Sequence, residues 1–337
     1  MSLRLVTLSV FLFFCSCSES NEKLLPGSNG NINNISVVAS NALWESSVGD
    51  LIRENFSRPI YGLPQAEPVF NLNHIPSKIF SGFATKSRTI LKLHIGNKES
   101  ISNFKNSYAS PQIIVQVTAP NKEALSQLIL DNISSIYSSL YFSELKEKQR
   151  RISKNTNKSP LLKNNLGLSL KFPSAYRIAK EDSNFIWIRR DIESGSINLS
   201  ISKVKKGNRG IFSLRDSISK AQIPGPIENT YMSTDFGYKP ITQEVNFANI
   251  KTLESRGLWE VENQFMAGPF LNYYIEVGND EVIILDGFVY SPGTNKREYI
   301  FELEAIIRSL KLSDLIQWVL HLKVSLAVLP HSLDSGR

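Results

Sequence analysis

The chain has 337 residues, 42% of them hydrophobic and 20% charged. That hydrophobic share is ordinary for a globular protein, and the length suits two domains or one large one. A net charge of +7 permits contact with anionic lipid, lipopolysaccharide phosphate or nucleic acid without choosing among them, and two cysteines exclude a disulfide framework.

The chain opens on Arg4 followed by an almost wholly apolar stretch, residues 5–14. It suits the core of an export signal and is too short to span a bilayer. Ser16 and Cys17 close it in a pattern that resembles a bacterial lipobox, with Phe14 and Cys15 in place of the usual Leu and Ala or Ser. The reading is a signal peptide over residues 1–16 and lipidation at Cys17. The membrane is then a partner through that lipid, and the expected location is the cell envelope, at the outer membrane, with the leaflet left open. Cys15 leaves with the signal and Cys17 carries lipid, so the exported body must be held by its core. An exported protein is not expected to meet nucleic acid. Residues 17–34 are polar and without periodicity, and read as a lipidated flexible tether.

Residues 35–151 alternate strands and helices, as an N-terminal α/β domain would. A strand is predicted over 35–40, then a helix capped by Asn41 with Trp44, Val48, Leu51, Ile52 and Phe56 at helical spacing. Residues 59–76, with four prolines, read as an irregular connection. Leu91, Leu93 and Ile95 alternate with Lys92 and His94 in a half-buried strand, and 113–117 reads as a central one. Asn121 opens the longest predicted helix, whose stripe runs from Leu125 to Tyr141. Its basic end, Lys146 to Lys154, reads as a solvated helix terminus rather than an anion site. Residues 152–165 lack a pattern and read as a linker.

Residues 166–312 are strand-rich. Strands are predicted over 166–172, 185–190 and 197–203, a short helix over 214–220, four more strands between 241 and 290, and a closing helix bearing Tyr299, Ile300, Leu303, Ile306, Ile307 and Leu310. The fold class is therefore α+β, with a mainly antiparallel C-terminal sheet carrying helices on one side. Residues 167–176 (GLSLKFPSAY) faintly resemble the opening of Mog1/PsbP-like domains. The tail 313–337 is apolar but interrupted by Gln317, His321 and Lys323, and is atypical of the body.

No metalloprotease, nucleophile-elbow, P-loop or dinucleotide motif is present, so no metal or cofactor is expected. His74, His94, His321 and His331 have no metal-ligand spacing, and His94 reads as a surface residue. An S-x-x-K pattern at Ser102 lacks its companion motifs. The densest run is residues 254–270 (ESRGLWEVENQFMAGPF). On a regular strand Glu254, Arg256, Glu260 and Glu262 share one face, while Trp259 points into the core. Gly268 and Pro269 read as a strand end or bulge. Two carboxylates there can serve glycoside chemistry or form an ion network, and the network is the default.

Several stretches carry a family resemblance: PGPIENTYMST (224–234), the 254–270 run, and GFVYSPGTNKREYIFELEAIIRSL (287–310). LWESSVGD (43–50), LPQAEPVF (63–70), SRTIL (87–91), PQIIVQVTAP (111–120) and FIWIRR (185–190) extend it. Over roughly 35–312 the sequence resembles the DUF4837 family, Bacteroidetes lipoproteins of unknown function. Glu19 and Glu22 resemble the surface-export signals of such lipoproteins. The resemblance implies an envelope lipoprotein and brings no activity or catalytic residue. The resulting expectation is a non-enzymatic binding or assembly role for an envelope protein or glycan partner, with Glu254, Arg256, Glu260 and Arg297 as the contact site. The alternative is an envelope glycan or peptidoglycan hydrolase using Glu254 and Glu260.

Overall fold

The computed structural model describes residues 24–313 apart from 158, 248–249 and 279. The export segment, Cys17 and the tail from residue 314 onward lie outside the described residues.

The first half builds one five-stranded sheet. Its elements are β1 (Asn34–Ala39), α1 (Asn41–Trp44), α2 (Ser47–Phe56), β2 (Asn71–Pro76), β3 (Thr89–Ile95), β4 (Ser100–Lys105), β5 (Ile113–Ala119), α3 (Lys122–Asp131) and α4 (Ile133–Ile152). Strand order is β2-β1-β3-β5-β4, parallel except for the antiparallel edge strand β4. Val37, Leu91 and Val115 pack with Ile52, Leu125, Ile129 and Leu140 in one large core. On the opposite face Val38, Ile90 and Ile114 form a small cluster with Ile75 and Phe80.

Three expectations for this half change. Asn41 does not cap the first helix. Ser40 accepts from the Leu43 N–H and Ser46 from the Val48 N–H, so the segment breaks into α1 and α2. The longest helix is likewise two, because Asn132 leaves the helical region and ends α3. The proline-rich connection ends in strand β2, whose Pro76 sits at a sheet edge where its missing N–H costs nothing.

The tether is also shorter than its composition suggests. The Ser110 N–H donates to Pro26 O at 2.9 Å, Asn29 N–H to Lys86 O at 2.9 Å and Arg88 N–H to Asn29 O at 2.9 Å. Arg88 then binds Gly30 O and Asn31 O while pairing with the buried Glu144 at 2.9 Å. Polar composition alone cannot reveal that backbone groups have found partners.

The linker contains β6 (Thr156–Asn157) and α5 (Pro160–Asn164). Then follow β7 (Leu168–Ser169), β8 (Phe172–Pro173), β9 (Arg177–Asp182), β10 (Phe185–Ile192), β11 (Gly195–Lys205), α6 (Ile211–Gln222), β12 (Met232–Asp235), β13 (Ile241–Phe247), β14 (Ile250–Val261), β15 (Ala267–Gly278), β16 (Glu281–Tyr290), α7 (Arg297–Ile307) and β17 (Lys311–Leu312). The main sheet is antiparallel in the order β12-β14-β15-β16-β11-β10-β9, with β13 also on β14.

The α+β class stands, but the helices divide between the two faces of this sheet. Leu303 of α7 packs over Gly287 and belongs to the core of Leu271, Tyr273 and Leu285. Leu214 of α6 packs on the alternate residues Tyr274, Val282 and Ile284. Beside it Arg215 is buried, pairing with Asp286 at 2.8 Å and lying 4.0 Å over the Phe270 ring. The run from Val282 to Val289 is buried at every position, as a strand covered on both faces must be. Gly268 and Pro269 neither end nor bulge a strand; they lie in regular register opposite Trp259 and Leu258.

Candidate functional site

The site forms where the two halves meet, around charges that the closing helix buries. From Ile300 to Ile307 every residue of α7 is buried, Glu302 and Glu304 included. A carboxylate in such a place needs cations or donors to replace its water. Glu302 takes Lys148 at 2.7 Å, Arg190 at 3.0 Å and the Tyr176 hydroxyl at 2.9 Å.

Glu304 joins a closed ring. Arg256 of β14 donates to Glu254 from Nε and to Glu304 from Nη2, both at 2.8 Å. Arg308, just past α7, donates to Glu304 from Nε at 2.9 Å and to Glu254 from Nη2 at 3.2 Å. Two tyrosines cap the carboxylates: Tyr273 donates to Glu254 at 2.5 Å and Tyr141 of α4 to Glu304 at 2.6 Å. The ring is neutral, two carboxylates against two guanidiniums, and each carboxylate oxygen has a charged partner.

Electrostatics follow this geometry. Burial alone would push the Glu254 carboxyl up; Arg256, the Tyr273 hydroxyl and Arg308 outweigh it and hold it below its ordinary value. Burial and the adjacent carboxylates push Tyr141 and Tyr273 well above the usual phenol range. Burial opposes the charge on Arg256, but Glu254 and Glu304 raise it well above its ordinary value. Every charged group of the ring is engaged by an opposite charge at 2.8–3.2 Å.

The ring borders a cavity of about 410 Å³, also lined by Arg58, Ile60, Tyr137, Phe142, Ile241 and Phe301. Both halves contribute, so the site exists only in the docked molecule. Arg58 is exposed and lies 5.3 Å from the Tyr137 ring centroid. Among the described residues it has no carboxylate partner.

Of the four residues singled out by sequence, Glu254 and Arg256 sit together in the ring. Arg297 lines the same cavity but is engaged elsewhere, donating to Pro68 O at 2.9 Å and pairing with Glu298 at 2.9 Å. Glu260 does not belong. It is exposed near the end of β14, opposite Ala267, six positions from Glu254 or about 20 Å along the strand. The Glu254–Glu260 pair required for glycoside hydrolysis is therefore not assembled, since such pairs stand within about 10 Å. Sequence reasoning missed Glu304, Arg308, Tyr141 and Arg58. One signal was available: Glu304 and Arg308, four apart on an otherwise apolar helix stripe, demand partners.

A second cavity, about 70 Å³, is lined by Pro224, Met232, Trp259 and Met266 on the α6 side. It brings two of the stretches that carried the family resemblance against each other. Among the described residues no helix is long and apolar enough to cross a membrane, and no cluster of His, Cys, Asp or Glu is placed to hold a metal.

Residues 155–309 match the family model described as Domain of unknown function (DUF4837). The chain carries a DUF4837 domain. Residues 28–153 match a second model, Domain of unknown function (DUF8532). The resemblance read over 35–312 thus divides in two, and its early stretches from 43 to 120 fall within the second match. Each half contributes one wall of the cavity. The ring itself, Glu254, Arg256, Glu304 and Arg308, lies within the DUF4837 domain.

A search of curated proteins finds no match. Among solved structures the chain is similar to a crystal structure from Bacteroides thetaiotaomicron, at 14% identity and TM-score 0.28 over 48% of each chain. It thus spans about half the length of that protein. It is similar to a mutant of the protein Mog1, at 10% identity and TM-score 0.31, over 48% of this chain and 97% of that one. It is also similar to human StAR-related lipid transfer protein 5, at 6% identity and TM-score 0.22, over 56% of this chain and 99% of that one.

Proposed function

We propose that the protein is an exported lipoprotein of a Bacteroidetes envelope, anchored through Cys17 to the outer membrane. Its role is non-enzymatic: it binds a small anionic molecule with an apolar part in the cavity between its halves. The observation that carries this reading is the contrast between spent and unspent charge. Glu254, Arg256, Glu304 and Arg308 neutralise one another and shape the cavity, while the exposed Arg58 keeps its charge beside Tyr137. A cavity of about 410 Å³ is in the size range of small-molecule sites. An apolar wall with one guanidinium that has no carboxylate partner among the described residues favours an anion carrying a hydrophobic body. The hydrolase alternative loses its acid–base pair, because Glu260 stands far from Glu254.

Calorimetric titration of the full chain with octyl phosphate tests the binding reading. Saturable binding is expected, weakened about tenfold or more in Arg58→Glu. Equal affinity in the variant and the native protein would refute it. Mass spectrometry of the envelope-extracted protein tests the anchor separately. Acyl mass on Cys17 is expected, with Cys17→Ala released to the soluble fraction.

A further inference from the structure

The outer face of the first sheet ends in a pole that buries little and carries unpaired positive charge. Two short 3-10 turns, Ser77–Ile79 and Gly82–Lys86, cross it after β2. Ile79 is 63% exposed and Phe83 77%, with Tyr108 45% exposed nearby. They form one surface. Phe80 stacks edge-on against Tyr108 at 6.0 Å, and Gln112 donates to Thr85 O and Ser87 O while accepting from the Tyr108 N–H.

The segment from β2 to the start of α3, which carries this surface, is one-sided in charge. Residues 68–122 contain six lysines and an arginine but a single acidic residue, Glu99. Arg88 is spent on Glu144. Among the described residues Lys78 and Lys86 have no carboxylate partner. Exposed aromatic and aliphatic side chains rimmed by lysine are the composition that enters a membrane interface.

The path of the chain supplies the occupant. Residues 26–29 thread between the 106–112 loop and the 82–88 turn, held by the bonds of Ser110 to Pro26 and of Asn29 to Lys86. The N-terminal segment therefore leaves the body beside Tyr108 and Lys86. Nine positions separate Cys17 from Pro26, a reach of at most about 30 Å. An anchor at Cys17 would keep this pole within about 30 Å of the bilayer.

We propose that this pole is a membrane-contacting face. Ile79, Phe83 and Tyr108 seat in the interfacial layer of the bilayer, and Lys78 and Lys86 meet its anionic headgroups. The inference rests on the Cys17 anchor of the reading above. Contact fixes the orientation of the body on the membrane.

The lipidated protein has no free thiol once Cys15 is removed with the signal, so Phe83→Cys can carry an environment-sensitive fluorophore. Phe265→Cys, at an exposed position in the other half, serves as the control. The full chain is reconstituted into phosphatidylethanolamine–phosphatidylglycerol vesicles. Emission at position 83 is expected to rise about threefold, to be quenched by spin-labelled lipid, and to fall back in Lys78→Glu/Lys86→Glu. Position 265 should not change. A label at 83 that stays in water on anchored protein overturns the proposal. Acyl mass at Cys17 is read independently, so failure of the anchor is told apart from failure of the face. Should Cys17 prove unmodified, a hexahistidine placed at that position and nickel-chelating lipid supply the tether, and the same readout at 83 decides.

Discussion

Arg256 holds two carboxylates at once, and the ring depends on it. Arg256→Met would leave Glu254 and Glu304 buried with Arg308 as their only cation, and is expected to cost about 3 kcal/mol or more in urea unfolding. Tyr273→Phe removes one hydrogen bond to Glu254 and should cost about 1 kcal/mol. Acid should act through the same group. The Glu254 carboxyl sits below its ordinary value of 4.5 when folded, so the unfolded chain takes up the extra proton between the two values. Its contribution is full above about pH 4.5 and is lost as pH falls through the folded value. Unfolding followed from pH 7 downward should show that loss in the native protein and a flatter acid limb in Glu254→Gln.

At the scale of elements, packing decides where propensity is silent. Ser40 and Ser46 each accept a backbone N–H, so two caps six residues apart cut one amphipathic stretch into α1 and α2. The periodicity of Val48, Ile52 and Phe56 was legible because it serves a single core face. The break was not, since Ser46 reads as one more polar residue of the stretch until its hydroxyl accepts the Val48 N–H. Gly268 shows the opposite case. Its chain neighbour Pro269 suggested an interruption, yet the glycine exists for a close approach: a Cβ there would stand 2.0 Å from Val289 O and 3.2 Å from Trp259 Nε1. Gly268→Ala is expected to cost about 1–3 kcal/mol in thermal or urea unfolding, by forcing β15 and β16 apart.

For the whole molecule, the contact between halves is polar and specific. The start of α7 has no side-chain cap of its own. Glu67 of the first half provides one, accepting from the Lys296 N–H at 2.7 Å and the Arg297 N–H at 3.0 Å. A carboxylate at a helix N-terminus also complements the dipole. Tyr141 to Glu304, Lys148 to Glu302 and Gln149 to Ala305 O continue the seam along α4 and α7. Glu67→Ala is expected to cost about 1–2 kcal/mol. It should begin to separate one urea transition into two, followed by tryptophan emission from Trp44 in the first half and Trp187 and Trp259 in the second. A single unshifted transition would show that Glu67 does not couple the halves.

The sequence by itself determined the α+β class, most of the strands and helices and the presence of two unlike halves, because hydrophobic period and turn residues are local properties. Leu91 and Leu93, or Ile197, Leu199 and Ile201, announce their faces within a few residues. It also marked Glu254 and Arg256, since charges alternating along one predicted strand are a local pattern. Tertiary structure alone decided that α6 and α7 cover opposite faces, that Glu260 stands apart, and that Glu304, Arg308 and Tyr141 complete the ring. Tyr141 and Glu304 are 163 positions apart in the chain. A buried charge states in the sequence that it needs a partner, but only the folded chain brings that partner within hydrogen-bond distance.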